Sequence, residues 1–268
     1  MTARVLIVAG SDSGGGAGVQ ADIKTCAALG AYAATAITAV TVQDTRAVHA
    51  VHTVPSETIA AQMRVVLDDV GADVVKLGMI GGRAAGEAIL SALPSDVPLV
   101  LDPVLVATSG DALGDGETAT LIRERLVPRA AVVTPNTPEL AALTGRDVRD
   151  ADEAEAAARA LLDRGAGAVL AKGGHLSGEA MTDLLVTPEG TVRIEHLRLE
   201  TTSTHGTGCT LASALAASLA QGRALEDAAR RAVAYVAAAI RHAPKLGRGH
   251  GPLNHALREG PGGWTPIG

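Results

Sequence analysis

Residues 203–211 combine the residue types needed to bind and transfer an anion. They include Gly206, Thr207 and Gly208 followed at once by Cys209, and they open an alanine-rich segment that predicts a helix. A glycine turn at a helix start exposes backbone N–H groups at the positive end of the helix dipole, and a thiol there tends to have a lowered pKa. The segment predicts a cradle for a phosphate in transfer and a proton acceptor. The alternative is an ordinary turn with a buried cysteine.

A second glycine-rich stretch, residues 9–18, follows the first apolar run of the chain and contains Gly10. Its glycines would let the backbone approach a ligand closely. The stretch is neither a dinucleotide-binding fingerprint nor a Walker A loop, because it lacks the acidic residue of the first and the Gly-Lys-Ser/Thr of the second. Taken alone, it is equally well explained as a tight turn from a strand into a helix.

Polar side chains follow three further apolar runs. Asp102 ends one of them, where a carboxylate serves either a phosphate-bound Mg²⁺ or a simple cap. Asn136 ends another, with Glu139 near the start of the next helix, which an N-cap with an acidic first turn would also explain. Lys172 ends the third and is followed by two glycines. It would reach nucleotide phosphates, or it is a surface lysine before a flexible turn.

Composition excludes several classes of function. The 268 residues are 47% hydrophobic and 1% aromatic with no Phe, so an aliphatic core of one large domain can form without disulfides or structural metals. So few aromatic residues leave no stacking platform for single-stranded nucleic acid. The net charge of −6 argues against a surface for binding polyanions. We therefore expect no nucleic-acid partner.

Cysteine use and hydropathy indicate a cytoplasmic protein. Two cysteines form neither a disulfide framework nor a metal quartet, and Cys26 lies in a helical pattern that predicts core packing. The N-terminus enters a short apolar run that lacks the length of a signal peptide. The longest unbroken apolar run, residues 232–240, falls short of the roughly 18 residues that span a bilayer. We expect no membrane association.

Short apolar runs alternate with helical patterns along the chain. The predicted buried strands are residues 5–9, 74–77, 99–101, 131–133 and 168–171. The predicted helices are residues 18–29, 56–69, 84–92, 117–125, 138–144, 151–164, 210–221 and 225–242. This alternation predicts an α/β fold with a parallel sheet covered on both faces, in which ligands bind beyond the carboxyl ends of the strands. Residues at those ends are Gly10, Met79, Asp102, Asn136 and Lys172.

Two segments interrupt the alternation. Residues 32–42 and 47–54 are rich in β-formers and predict a ribbon over a sheet edge, a candidate lid. Residues 181–186 and 191–197 predict an antiparallel hairpin. We expect a single domain over residues 1–268, with a β-rich flap at about 32–54 and a loose glycine- and proline-rich tail at about 259–268.

Together these segments resemble the ribokinase-like superfamily and, within it, the hydroxymethylpyrimidine/phosphomethylpyrimidine kinases of thiamine biosynthesis. The resemblance covers residues 5–250 and rests on residues 9–22, 42–45, 76–79, 101–104, 134–136, 172–175 and 204–211. Cys209 is the specific feature, because most sugar kinases of the superfamily carry Asp there. Cysteine is typical of the pyrimidine kinases and of related pyridoxal kinases. Ser203 replaces an Asn that is frequent in the family, a change we do not expect to affect the chemistry.

The resemblance implies the substrates and the residues that bind them. The reaction would be the MgATP-dependent phosphorylation of 4-amino-5-hydroxymethyl-2-methylpyrimidine to its monophosphate and then to its diphosphate. The pyrimidine pocket would be lined by Gly10, Gln43, Met79 and Val104. The amide of Gln43 carries both a donor and an acceptor, which would match the ring nitrogen and the amino group.

The resemblance also assigns the phosphate side of the site. The region that binds Mg²⁺ and phosphate, mainly through water, would contain Asp102, Asn136 and Glu139. Lys172 would approach the nucleotide phosphates, and residues 206–209 would form the anion hole, with Thr207 among the nucleotide contacts.

The chemistry of the two steps would differ. The backbone N–H groups of Gly208 and Cys209 would stabilise the equatorial oxygens of the moving phosphoryl group. Cys209 would accept the proton of the hydroxymethyl group. The second acceptor is an anionic phosphate oxygen, so that step needs no base.

Two alternatives remain at this point. A pyridoxal kinase would act on a similar hydroxymethyl-substituted nitrogen heterocycle. A non-catalytic pyrimidine sensor would not need the anion hole, so the retained Asp102, Lys172 and residues 206–209 argue against it. The family also implies a homodimer formed through the flap.

Overall fold

The computed structural model describes residues 2–105, 115–175 and 180–267. Within these ranges the strands are β1 (Arg4–Asp12), β2 (Tyr32–Gln43), β3 (Val48–Thr53), β4 (Val74–Leu77), β5 (Leu99–Leu101), β6 (Val132–Val133), β7 (Val169–Ala171), β8 (Ala180–Thr187), β9 (Gly190–Leu197), β10 (Leu257–Gly260) and β11 (Gly263–Pro266). The α-helices are α1 (Gly18–Ala28), α2 (Ser56–Asp69), α3 (Arg83–Ala92), α4 (Gly116–Leu121), α5 (Thr137–Thr144), α6 (Ala151–Leu162), α7 (Thr207–Ala220) and α8 (Leu225–Arg241).

The strands β1 to β9 form one sheet in the order β3-β2-β1-β4-β5-β6-β7-β8-β9. The strands from β2 to β7 in that order are parallel. At one edge β3 pairs antiparallel with β2, and at the other edge β8 and β9 form the predicted antiparallel hairpin. Because each short apolar run is followed by a helix that returns the chain to the same edge, the central strands are parallel. The predicted mostly parallel sheet is confirmed.

Helices cover both faces of the sheet. In β1, Leu6 and Val8 pack into the core shared with α2, α3, α5 and α6. The alternate residues Val5 and Ile7 pack into the core shared with α1, α7 and α8. Side chains of a strand alternate between faces, so one apolar run supplies both cores. Cys26 lies in the second core and is fully buried, as its helical pattern predicted.

The segment predicted as a ribbon over an edge belongs largely to the sheet itself. From Tyr32 onward β2 pairs in parallel with β1, with a register shift between Ala9 and Ser11. Its last five residues also pair antiparallel with β3, whose residues are mostly exposed. Because β2 pairs with β1 as far as Thr41, only β3 and the last two residues of β2 form a flap.

The predicted helix at residues 117–125 is divided. The α4 helix ends at Leu121 and continues as a π-helical turn (Ile122–Leu126) and a 3₁₀ turn (Val127–Arg129). Pro128 has no N–H to donate and its ring disfavours a continuing α-helix. The segment therefore keeps helical turns as far as Arg129, beyond the predicted end at residue 125, but only its first part is α-helix.

The tail is more ordered than the sequence predicted. In place of a loose segment, β10 and β11 form a two-stranded antiparallel hairpin. The ring of Trp264 packs edge-on against Tyr235 of α8 with 4.8 Å between centroids, and the guanidinium of Arg231 lies 5.5 Å from the Trp264 ring centroid. An aromatic contact and a cation–π contact thus hold the hairpin on α8. Across the described residues, no helix combines the length and apolar character needed to cross a membrane.

Candidate active site

Polar residues of three motifs meet where the parallel strands end. The backbone N–H of Asp102, directly after β5, donates to the carbonyl of Leu77 at the end of β4. Asn136, beyond β6, forms a parallel bridge with Lys172, beyond β7. Carboxyl ends of parallel strands share one edge of a sheet, so these residues converge although they are far apart in sequence.

Lys172 is the centre of this group. Its Nζ atom lies 3.0 Å from Oδ1 of Asp102 and 3.6 Å from Oε2 of Glu139. The Lys172 side chain is 14% exposed and that of Asp102 is 1% exposed, so water screens the pair little. Burial alone would lower the pKa of Lys172, but the two carboxylates raise it above its ordinary value. Lys172 is therefore a partly accessible cation at the edge where the parallel strands end.

Asn136 and Glu139 form a reciprocal cap at the start of α5. The backbone N–H of Glu139 donates to Oδ1 of Asn136 at 2.8 Å, and the backbone N–H of Asn136 donates to Oε2 of Glu139 at 2.8 Å. Burial raises the pKa of Glu139 to about 7, opposed by the charge of Lys172. The cap thus holds the Glu139 carboxyl beside the lysine, and the Asn136 side-chain oxygen is already used within it.

The predicted anion turn lies directly over this cluster. Gly206 is the N-cap of α7 with a φ of 82°, and the helix begins at Thr207, three residues earlier than its pattern indicated. A Cβ atom at Gly208 would stand 3.1 Å from Nζ of Lys172 and 3.6 Å from Oδ2 of Asp102. The amides of a first helical turn have no acceptor within the helix. Gly208 therefore brings such amides to the cation.

Cys209 also lies in the first turn of α7, but its thiol is not activated in the way its position suggested. Burial raises the pKa of Cys209 to about 12, and the nearby charge of Lys76 opposes this only in part. The backbone N–H of Gly18 also acts to lower the pKa of the thiol, but less than burial raises it. The expectation of a lowered pKa is wrong here, because loss of water around the sulfur outweighs the helix dipole.

Three of the four residues predicted to line the pyrimidine pocket belong to the glycine loop, residues 10–18, or contact it. A Cβ atom at Gly10 would come within 3.0 Å of Sδ of Met79, so these two residues are in contact and a side chain at position 10 would displace the methionine. At the end of β2, the backbone of Gln43 exchanges two hydrogen bonds of 2.9 Å with the hydroxyl of Ser13. Val104 is half-buried and follows Asp102 by two residues.

Sequence reasoning gave no role to a buried ion pair behind Cys209. Nζ of Lys76 lies 2.9 Å from Oδ2 of Asp22, and both side chains are fully buried. The hydroxyl of Ser213, one turn after Cys209 on α7, donates to the same carboxylate at 2.7 Å. A lysine inside the apolar run of β4 was the available signal, because a buried ammonium requires a carboxylate partner.

The contact between the anion turn and the glycine loop can be tested at Gly206. A Cβ atom there would overlap the carbonyl oxygen of Gly16. Gly222 is the matched control, since its φ of 78° is similar and nothing lies within 4 Å of its Cβ position. We expect Gly206→Ala to lower the free energy of unfolding by about 1–3 kcal/mol more than Gly222→Ala, the usual cost of overpacking. Urea denaturation measures both, and equal losses would contradict the contact.

The residues beside Lys172 suit a hard cation that is shared with phosphates. Asp102 and Glu139 offer carboxylate oxygens, and Mg²⁺ is commonly held by one or two carboxylates together with substrate phosphates. Within the described residues, no group of three or more His, Cys, Asp or Glu could hold a metal alone. The donor set fits Mg²⁺ that arrives with a nucleotide.

The chain is similar in sequence to known kinases. The sequence model of the family described as phosphomethylpyrimidine kinase matches residues 12–254. The chain is 50% identical over 263 residues to the hydroxymethylpyrimidine/phosphomethylpyrimidine kinase of Rhizobium meliloti (strain 1021), covering 96% of this chain and 98% of that protein.

Two solved structures share the architecture. An ADP complex of Bacillus subtilis pyridoxal kinase has a TM-score of 0.86 at 33% identity, covering 96% of this chain and 98% of that one. The phosphomethylpyrimidine kinase from Clostridium difficile 630 has a TM-score of 0.77 at 35% identity, covering 87% and 97%. The chain belongs to the phosphomethylpyrimidine kinase family and is a kinase of the ribokinase-like fold.

Proposed function

We propose that the chain uses MgATP to phosphorylate 4-amino-5-hydroxymethyl-2-methylpyrimidine and then its monophosphate, supplying the pyrimidine half of thiamine. The observation that carries this proposal is the approach of Gly208, in the first turn of α7, to the Lys172–Asp102 pair. Amides without helical acceptors and a partly accessible cation meet there, as stabilisation of a phosphoryl group in transfer requires.

The residues of the chain would act mainly by alignment and charge. In the first step a bond forms between the hydroxymethyl oxygen and the γ-phosphorus, the bond from that phosphorus to the β-bridging oxygen breaks, and ADP leaves. The amides of Gly208 and Cys209 would hold the equatorial oxygens, and Lys172 would approach the nucleotide phosphates. Cys209 would take the proton of the hydroxymethyl group. In the second step the acceptor oxygen is already anionic.

Mg²⁺ would be held, mainly through water, by Asp102 and Glu139, with Asn136 keeping Glu139 in place through the cap. When bound, it supplies neutralisation of the phosphate charge. Thr207 would be a further contact to the nucleotide from the start of α7.

The test is a reaction of purified protein with MgATP and one of three acceptors: the hydroxymethylpyrimidine, its monophosphate or pyridoxal. Mass spectrometry should detect the pyrimidine monophosphate and diphosphate. Folded protein that yields neither product would refute the proposal, and turnover of no acceptor would favour a pyrimidine sensor.

Pyridoxal kinase is the second candidate, because the pyridoxal kinase of Bacillus subtilis has the higher TM-score of the two compared structures. We expect a lower kcat/KM for pyridoxal than for the pyrimidine. The reverse order would favour the second candidate.

Gln43 is proposed to recognise the pyrimidine ring. Its Oε1 accepts a hydrogen bond of 3.1 Å from the Thr41 hydroxyl. Gln43→Leu would leave polar atoms of the ring unpaired in a closed site, at roughly 1–3 kcal/mol. KM for the pyrimidine should rise about 5- to 150-fold, because 1.4 kcal/mol is tenfold, while KM for ATP changes little.

Gln62→Leu is the control for this change. Gln62 also hydrogen-bonds to β2, but to the backbone of Ile37 near its middle. Its loss should lower stability and leave KM for the pyrimidine unchanged. Equal weakening of both substrates in Gln43→Leu would indicate a damaged fold instead.

The proposal also includes the oligomeric state and the cellular compartment. Exposed apolar side chains of the flap, Val42 at 58% and Val51 at 42%, would pack against a second copy in a homodimer. Light scattering of the purified protein tests this.

The protein would work in the cytoplasm on small molecules, without a nucleic-acid or membrane partner, in keeping with its net charge of −6.

A further inference from the structure

We propose that Asp12 and His205 are positioning residues that keep the two halves of the active site in register. One half is the glycine loop, residues 10–18, which would hold the pyrimidine. The other is the anion turn, residues 204–209, which would hold the phosphoryl group. The ligands assigned to the halves rest on the proposed function, whereas the coupling between them rests on contacts alone.

Asp12 organises the glycine loop from within. It ends β1 and is 3% exposed. Its Oδ1 accepts from the backbone N–H of Gly14 at 2.8 Å, and its Oδ2 accepts from Gly16 at 3.0 Å and Ala17 at 2.8 Å. Burial would raise the pKa of Asp12, but the hydrogen bonds from His205 and from these amides hold it below its ordinary value. The loop is therefore folded around a carboxylate.

His205 joins this carboxylate to the anion turn. It is 5% exposed, and its Nε2 lies 2.8 Å from Oδ2 of Asp12. Because a carboxylate only accepts, the Nε2 atom carries the proton. The backbone N–H of His205 donates to the carbonyl of Gly251 at 3.1 Å, which fixes the other end of the residue. The next residue is Gly206, the N-cap of α7.

Close backbone contact reinforces the hydrogen bond. A Cβ atom at Gly16 would overlap the ring of His205, and one at Gly206 would overlap the carbonyl of Gly16. Together with the hydrogen bond between Asp12 and His205, these two close contacts join the loop to the turn, so a displacement of one carries the other with it.

The position of these two halves relative to each other decides the rate of phosphoryl transfer. The loop would set the acceptor oxygen, and the turn would set the phosphorus that this oxygen attacks. A misplacement of about 1 Å costs on the order of a hundredfold in rate. Asp12 and His205 would affect both phosphorylation steps equally, because they set the position of the loop relative to the turn and take no part in removing the proton of the acceptor.

Three variants separate positioning from packing. His205→Leu removes the donor, whereas His205→Gln keeps an N–H near the Nε2 position. Asp12→Asn keeps the shape of the carboxylate but loses its charge. His255→Leu is the matched control, because His255 is also buried and its Nε2 lies 2.9 Å from the hydroxyl of Thr210 on the same helix.

The first measurement needs no substrate. Cys209 is partly exposed in the structure, so an increase in its rate of alkylation by iodoacetamide above the wild-type rate, followed by mass spectrometry, reports opening of the anion turn. Fully buried Cys26 reports global unfolding. We expect Cys209 to react about 10- to 100-fold faster in His205→Leu, the factor for a lost charge-assisted hydrogen bond. His205→Gln and His255→Leu should react at nearly the wild-type rate.

The second measurement is the kinetics of both phosphorylation steps. His205→Leu and Asp12→Asn should lower kcat by the same factor for each step, about 10- to 100-fold, with KM for ATP little changed. A wild-type alkylation rate in His205→Leu, or equal acceleration in His255→Leu, would overturn the coupling. If His205→Leu does not fold, Asp12→Asn provides the same comparison. If the variants show the expected difference in alkylation but the wild type does not phosphorylate the pyrimidine, the coupling is supported and the proposed function is refuted.

Discussion

Cys209→Ala is expected to slow phosphorylation of the hydroxymethyl group by about 10²–10⁴-fold, the usual loss when a general base is removed. Phosphorylation of the monophosphate should change far less, because its acceptor oxygen carries no proton that must leave. Alanine keeps the backbone N–H at position 209, so the anion turn would survive. The two steps, started separately from their own acceptors, measure this selectivity.

The raised pKa of Cys209 adds a pH dependence to this result. With the pKa at about 12, the thiol is protonated at neutral pH, and the thiolate fraction rises about tenfold for each pH unit below that value. The hydroxymethyl step of the wild type should therefore accelerate with pH between about 6 and 9. The monophosphate step shares only the titration of Glu139, whose pKa is raised to about 7, so it should rise less steeply. The difference in slope between the two steps should disappear in Cys209→Ala.

Cys26→Ala is the control for this variant, because Cys26 is fully buried in the core and remote from the reaction. It should lower stability and leave the ratio of the two rates unchanged. If Cys209→Ala slows both steps by one factor, or neither, then Cys209 is a packing residue and the substrate hydroxyl loses its proton late without its help.

Lys172→Met should lower the rates of both steps by about 10²–10³-fold, the loss typical of one removed electrostatic contact to a transition state. Lys172 would neutralise charge on the nucleotide, which is common to the two reactions. Lys172→Arg keeps the charge and should retain more activity than the methionine variant.

Loss of Lys172 also predicts a stability change with a defined sign. Asp102 and Glu139 would lose their counter-charge, and breaking a buried pair costs about 3–5 kcal/mol. The pKa of Glu139, already raised to about 7, would rise further. The penalty exists where the carboxylates are ionised and is relieved as pH falls, so the Tm difference from wild type should be smaller at pH 5 than at pH 8.

Lys76→Met separates this effect from general damage, because it breaks the other buried lysine–carboxylate pair, with Asp22. The two variants are compared on the monophosphate step, which needs no base. Lys172→Met should be much the slower. Equal rates at comparable Tm values would mean that Lys172 acts only through stability.

The architecture was predictable where the pattern is local. Runs such as residues 99–101 are wholly apolar because both faces of a central strand are buried, and polar residues at their ends mark the edge of the candidate site. The pairing of β2 was not predictable from the same pattern. It pairs with β1 from Tyr32 as far as Thr41, its last five residues also pair with β3, and those partners are set by the whole sheet.

The candidate site shows the same division. Gly206 and Cys209 could be identified because glycines followed by an alanine-rich run are typical of a helix start. The 3.0 Å contact of Lys172 with Asp102 joins residues 70 positions apart, and no local pattern encodes such a distance. The Cys209 pKa could not be predicted, because the dipole of its helix is a local property, whereas loss of water depends on every element packed around it.

The bond between Asp12 and His205 has a consequence for synthesis of the protein on the ribosome. The two residues are 193 positions apart, so at roughly 5–20 residues per second the glycine loop is made about 10–40 s before its partner. During that interval β1, which contributes side chains to both cores, cannot yet pack against α7 and α8. Nascent chains stopped before His205 should remain protease-sensitive and should not bind substrate, because long-range contacts of this kind form late and together.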